Sequence, residues 1–229
     1  MGVSERLASI RERIRAAAEG AGRDPSEVRL VAVSKTVEAD RIREAVDAGA
    51  EILGENYFQE AREKIDALAD TGVSWHFIGH LQSNKAKYVV RDFDLIHSVD
   101  RLKLARELDR QAEKVGRVQP ILIQVNLAGE ASKSGVSGDR LMDLVRDVAR
   151  LPHLSVRGLM TMPPFFDAPE RVRPYFAELR RKRDEIRDAG IEGVSMDELS
   201  MGMTGDFEAA VAEGATLVRI GTAIFGERT

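Results

Sequence analysis

The chain has no cysteine in 229 residues, which excludes disulfides, a thiolate nucleophile and cysteine-ligated metal centres. It also has no apolar run approaching the roughly 20 residues needed to span a bilayer. The amino terminus lacks the apolar core of a secretory signal. The opening MGVSER misses the myristoylation pattern, because Arg6 stands where Ser or Thr is required. These absences lead us to expect a soluble, cytoplasmic protein without membrane attachment. Net charge is small: 34 basic against 38 acidic residues, or -4. No broad cationic field is available for nucleic acid. The one basic run, Arg180 to Arg183, is followed by Asp184, Glu185 and Asp188, the signature of a solvated helix face. Histidine is scarce too. His76, His80, His97 and His153 do not form the convergent set of three that a metal normally needs, and His76 and His97 are expected to be hydrogen-bonded core residues. No metal site is expected.

What the chain does have is a regular alternation of helix and strand. Leu7, Ile10, Ile14 and Ala17 stripe a helix from about Val3 to Ala21. Short apolar strands are expected at Arg29–Thr36, Ile52–Gly54, Ser74–Ile78, Leu95–His97, Pro120–Asn126, Leu154–Met160, Val194–Ser200 and Thr216–Ile220. Amphipathic segments lie between them, one of them expected to be capped by Asp100 and to bury Leu104, Leu108 and Val115. About eight strands separated by helices, with no linker and no repeat, predict parallel strands joined by right-handed crossovers. The fold class expected is α/β: a single (β/α)₈ TIM-type barrel over residues 1–229 with an extra N-terminal helix. An open doubly wound sheet is the alternative.

In a barrel the carboxyl ends of all strands share one face, where chemistry sits. That mouth would receive Lys35, Asn56, His80, Asn126, Met160 and Ser200. Lys35 ends the strand RLVAVSKT, placing a strongly hydrated amine where the chain heads toward the core. It is either a solvated strand-end lysine or a desolvated amine able to attack a carbonyl carbon. Near the other end, SMGMTGD and RIGT supply glycine turns and hydroxyls after the last two strands. Barrels commonly hold a phosphate on these two loops. Met160, Met162, Met201 and Met203 read as packing near the mouth.

Seven ordered blocks, VAVSKT, GENYFQE, WHFIGHLQSNK, SKSG, RGLMTM, LSMGMTGDFEAAV and VRIGTAIFG, resemble the pyridoxal phosphate homeostasis protein family over nearly the whole chain. The resemblance implies the barrel of the alanine racemase N-terminal domain, with pyridoxal 5′-phosphate held as a Schiff base on Lys35. It further implies that Asn56, Met201, Thr204, Arg219, Gly221 and Thr222 line the cofactor site. Many relatives carry serine where this chain has Thr204, and the hydroxyl is kept. Arg219 could face the pyridine nitrogen, leaving it unprotonated and the ring a weaker electron sink than one paired with a carboxylate.

The role implied is storage, buffering or delivery of the cofactor, with apo-enzymes as possible recipients. An amino-acid racemase or decarboxylase on the same barrel is the alternative, and a Schiff-base aldolase acting on a sugar phosphate is a third. Catalysis would want an acid/base partner, yet the chain ends ten residues after Arg219, leaving no room for a second domain. Tyr57, Tyr88 and Tyr175 fall on expected helices, so no catalytic residue is assigned. Lys133, on the loop after the fifth strand, is a possible secondary cofactor contact. A monomer is expected.

Overall fold

The computed structural model describes residues 2–130, 134–164, 166 and 168–226. Nine strands alternate with nine α-helices among these residues. The strands are β1 (Arg29–Val33), β2 (Ile52–Glu55), β3 (Ser74–Phe77), β4 (Leu95–Val99), β5 (Gln119–Asn126), β6 (Val136–Ser137), β7 (Leu154–Thr161), β8 (Val194–Ser200) and β9 (Leu217–Ile220). The helices are α1 (Val3–Gly20), α2 (Ala39–Asp47), α3 (Phe58–Ala67), α4 (Ala86–Asp92), α5 (Leu102–Lys114), α6 (Leu141–Ala149), α7 (Arg173–Asp188), α8 (Phe207–Ala212) and α9 (Thr222–Phe225).

Eight of the strands form a closed parallel ring in the order β4-β3-β2-β1-β9-β8-β7-β5, sealed by β4 pairing with β5. This is the expected (β/α)₈ barrel, and α1 is the extra helix, packed against α2, α8 and α9. Its stripe of Leu7, Ile10, Ile14 and Ala18 is buried, and each large aliphatic contributes about 1.5–3 kcal/mol on burial. No described helix is long and apolar enough to cross a membrane.

Three local expectations need correction. The two-residue β6 was not anticipated; it pairs with the mouth end of β5, beyond the last β4 contact, through Val125↔Val136 and Asn126↔Ser137. Asp100 does not cap α5. Arg101 takes the N-cap position, and the Asp100 carboxylate is drawn instead to Arg101 Nη1 at 2.5 Å. Val115 falls just past the end of α5 and is 45% exposed, because the helix stops one residue earlier and leaves its side chain off the inner stripe.

Alternation along the strands builds the barrel interior in layers. The lower layer is apolar, with Val31, Ile52, Leu95, Leu122, Met160 and Leu217 packed together. Two residues further along the same strands, the next layer is polar: His97 follows Leu95 and Arg219 follows Leu217. His97 Nδ1 lies 2.8 Å from Ser200 Oγ and its Nε2 lies 3.0 Å from His76 Nδ1. Arg219 Nη1 donates to Ser200 Oγ at 2.5 Å. That donation leaves the Ser200 hydrogen for His97 Nδ1, so His97 carries its proton on Nε2 and donates to His76. Burial, opposed only in part by the Asp94 carboxylate, pushes His76 down to about 4, and burial likewise holds His97 well below its ordinary value.

An acid sensitivity follows, and its sign is fixed. Both imidazoles are held neutral when folded, so the unfolded chain binds more protons between pH 6.5 and about 4. Stability therefore falls as pH drops through that window, His76 alone accounting for about 3 kcal/mol at its lower end. Urea denaturation at pH 7 and pH 4.5 should show this loss. His76→Gln should flatten the slope even though its stability at pH 7 is lower; a slope equal to that of the parent would overturn the assignment.

Candidate functional site

Lys35 follows β1 at the mouth. Val31 and Val33 point inward, so the pleat also sends Lys35 inward and Ser34 outward. Residues Ser34 to Val37 form a tight turn closed by Val37 N–H to Ser34 O at 3.0 Å. Its third residue, Thr36, has φ of 60°. A β-branched side chain in that left-handed conformation costs about 1–3 kcal/mol. Lys35 itself is half-buried.

The amine opens on a cavity of about 320 Å³, within the roughly 300–1,000 Å³ range of small-molecule sites. One wall is apolar, formed by Val33, Ile78, Met162, Phe166, Val172 and Met203. The other is polar and carries Lys35, Asn56, Thr204, Asp206, Arg219 and Thr222, with Gly205 and Gly221 between them. Six of the seven residues expected at a cofactor site thus share one cavity: Lys35, Asn56, Thr204, Arg219, Gly221 and Thr222. Met201 does not line it. That side chain is fully buried in the outer core, and Met203, two residues on, takes the cavity-facing position.

Arg219 is the most constrained of these groups. It is buried, donating to Ser200 Oγ and, through Nη2, to Thr161 O at 2.9 Å. Burial pushes its guanidinium down to about 10, partly offset by the nearby Asp206 carboxylate, so it stays charged at neutral pH. Burial in turn raises Asp206, against the opposing pull of the Met203 N–H and Arg219.

Asp206 is the N-cap residue of α8, but its side chain does not cap the helix. Its carboxylate accepts the Met203 N–H at 2.6 Å, and its own N–H goes to Met203 O at 3.0 Å. The surface turned to the cavity is therefore the Thr204–Gly205 turn rather than the end of α8. On the second loop, α9 starts at Thr222; Gly221 O takes the N–H groups of Ile224 and Phe225 at 2.9 Å, which leaves those of Thr222 and Ala223 outside the helix ladder. Gly221 suits the close approach there, since a Cβ would stand 3.0 Å from Val33 O, tighter than an ordinary contact.

The remaining residues expected at the mouth are spread around the cavity. His80 bonds Ser134 at 3.0 Å. Asn126 organises its own loop, donating to Glu130 O and accepting from Gly129 N. Met160 and Ser200 are buried in the layers below. Tyr57 lies in the turn before α3, not on a helix, and is 62% exposed. It lines a neighbouring pocket that shares Asn56 with the main cavity. Lys133 lies outside the described residues. Among those residues, no group of three or more His, Asp or Glu could hold a metal. The basic run on α7 is spent on Glu178, Glu185, Asp184 and Glu213.

Asn56 owes its place to a close backbone approach. A Cβ at Gly79 would lie 2.2 Å from Asn56 O, whereas one at Gly205 would meet nothing within 4 Å. Gly79→Ala should therefore lower stability by about 1–3 kcal/mol through overpacking. Gly205→Ala should stay within roughly 0.5 kcal/mol of the parent. Urea midpoints of the two variants decide this, and equal midpoints would contradict it.

Comparison with known proteins places this geometry. The alanine racemase N-terminal domain family matches residues 6–229. The pyridoxal phosphate homeostasis protein of Aquifex aeolicus is 48% identical over 228 residues, covering 100% of this chain and 99% of that protein. The protein of the same name from Pseudomonas aeruginosa is 47% identical over 226 residues, covering 99% and 96%. Among solved structures, PipY of Synechococcus elongatus PCC7942, described with PLP bound, has a TM-score of 0.86 at 39% identity, covering 98% of this chain and 100% of that one. On these likenesses the chain belongs to the pyridoxal phosphate homeostasis protein family, built on the alanine racemase N-terminal domain.

Proposed function

We propose that this protein binds pyridoxal 5′-phosphate as a Schiff base on Lys35 and serves its storage, buffering or delivery, with apo-enzymes as the recipients. The carrying observation is the meeting of Lys35, Arg219, Thr204 and Thr222 with one apolar wall in a single cavity. The names of the relatives and the PLP-bound PipY structure support the same reading.

The donor set fits the group. A planar aromatic ring has an apolar face to lie on, formed by Ile78, Phe166 and Met203 among others. The phosphate has the hydroxyls of Thr204 and Thr222 and the backbone N–H groups of Thr222 and Ala223 at the start of α9. Arg219 is the fixed cation available to the ring nitrogen, and its two bonds to Ser200 and Thr161 keep it from swinging away. A cation there disfavours a protonated ring nitrogen. The cofactor, when bound, supplies an aldehyde for the Lys35 amine and an electron sink for substrate carbanions. Arg219 weakens that sink, which suits a carrier better than a catalyst. We therefore read the chain as one barrel unit that binds and passes on its cofactor, as a monomer, without turning over amino acids.

One observation favours the racemase- or decarboxylase-like alternative. Asp206 places a half-buried carboxyl of raised pKa in the same cavity, a property shared with general acids. Its bond to the Met203 N–H argues for a structural role.

The freshly purified protein should be yellow and should give a borohydride-stable adduct on Lys35. Lys35→Ala should abolish both without loss of fold. Incubation with amino acids in deuterated water should give α-proton exchange no faster than free pyridoxal phosphate. Turnover near the ~10 s⁻¹ typical of enzymes, lost in Lys35→Ala, would overturn the carrier reading.

Thr204→Val should weaken pyridoxal phosphate roughly ten- to hundred-fold, a charge-assisted bond contributing about 1.5–3 kcal/mol. Unphosphorylated pyridoxal should be barely affected. Equal losses for both ligands would move the phosphate elsewhere.

A further inference from the structure

Behind the cavity, on the outer side of the barrel wall, sits a group of buried charges that the binding site does not use. Glu55 ends β2 with its side chain turned outward and fully buried. Lys64 lies on the inner face of α3 beside Phe58 and Ala61, where the helix pattern calls for an apolar residue. All three donors of its ammonium are engaged: Glu55 Oε1 at 2.8 Å, Glu60 Oε1 at 2.5 Å and the backbone carbonyl of Ser34 at 2.6 Å. Ser34 Oγ donates to the same Glu55 oxygen at 2.6 Å. Glu60 also accepts the backbone N–H of Thr36. The cluster therefore grips the chain at residue 34 and again at residue 36, and the residue between is Lys35.

Two features separate this from ordinary packing. Buried ion pairs seldom stabilise more than apolar residues of the same volume would, and Glu55 leaves its Oε2 without a partner among the described residues. Stability alone therefore does not account for the cluster. In addition, Thr36 occupies the third position of a four-residue turn at φ of 60°, where such turns normally require glycine or asparagine. A threonine there persists only if its surroundings hold it. The Glu60 carboxylate on its N–H does so, as does Lys64 on the carbonyl that closes the turn.

We propose that the Glu55–Lys64–Glu60 cluster is a positioning device for Lys35, a clamp that fixes the left-handed turn and so aims the amine into the cavity. This rests on Lys35 being the cofactor-bearing lysine. It assigns Glu60 and Lys64, neither of which lines the cavity, a part in cofactor capture.

Glu60 is partly exposed, so its variants should fold. Glu60→Ala should bind pyridoxal phosphate about ten-fold more weakly, equivalent to about 1.4 kcal/mol, and should slow borohydride-trappable labelling of Lys35 in proportion. The apo-protein should melt within a few degrees of the parent but lose hydrogen-exchange protection at the Thr36 amide. Glu60→Gln keeps an acceptor for that amide and should lose less than about three-fold by the same measure. The paired change Glu55→Gln with Lys64→Met removes the buried charges; it should melt at or above the parent temperature and still bind more weakly. Unchanged affinity in Glu60→Ala, or losses in all variants that merely track melting temperature, would overturn the clamp while leaving Lys35 as the cofactor residue. Absence of any trapped adduct on Lys35 in the parent protein would remove both readings together.

Discussion

The two-residue alternation of closely paired parallel strands is the constraint on which the rest of this protein depends. Once β4 pairs with β5 and the ring closes, every strand must send alternate side chains inward at matched heights. Leu95 and Leu217 then share a dry floor, and His97 and Arg219, two residues on, share the layer above it. Val33, the last residue of β1, and Lys35 just beyond it come next, at the level of the cavity. The ordering from apolar floor through polar layer to open cavity is thus a consequence of register. A one-residue slip in β1 would exchange Lys35 for Ser34 and move the amine to the wrong side of the wall.

The polar layer explains how a guanidinium comes to be buried beneath a ligand cavity. An unpaired buried arginine would be costly, and Asp206 is its nearest counter-charge, itself partly desolvated. The remaining compensation is dipolar. Thr161 O takes one hydrogen, and Ser200 Oγ takes another while passing its own proton toward His97. The chain ends in two neutral imidazoles, which add no further positive charge beside the arginine. Were either histidine charged, it would repel Arg219 across the barrel, so burial of the pair and fixity of the cation support each other.

Much of this was legible in the sequence, for identifiable reasons. Strands such as ILIQVN and helices striped by Leu104 and Leu108 are set by local pattern, and their alternation forces a parallel barrel. Lys35, Thr204 and Gly221 could be placed at the mouth because they directly follow strands. What depends on packing across the barrel was not legible. Ile78 reaches the cavity from the loop after β3 and Phe166 and Val172 from the loop after β7, and nothing in their own neighbourhoods distinguishes them from ordinary core residues. Met203 rather than Met201 faces the cavity because Met201 continues the outward phase of β8, a matter of one strand residue. Asp100 looked like a helix cap by type and spacing, yet the adjacent Arg101 offered a closer partner. One signal was readable and passed over: Lys64 interrupts an apolar stripe of α3, four residues after Glu60 and nine after Glu55.

That interruption bears on why the amine is where it is. Lysine has a long stem and substantial rotamer freedom, so a strand end fixes its Cα far better than its nitrogen. Reliable capture of an aldehyde needs the nitrogen placed, and the nearest control is the backbone on either side. The turn at Thr36 supplies a definite geometry at a cost of about 1–3 kcal/mol, and that cost is met only while Ser34 O and Thr36 N–H are held from outside the barrel. The binding face and the helix layer behind it are therefore mechanically one unit. Lys35 faces the cavity, α3 holds the strand end that carries it, and Glu55, which belongs to the neighbouring strand, ties both to the ring. Buried charge and backbone strain, each unfavourable alone, meet here: Glu55 and Lys64 pack behind the turn whose strained residue, Thr36, adjoins the amine.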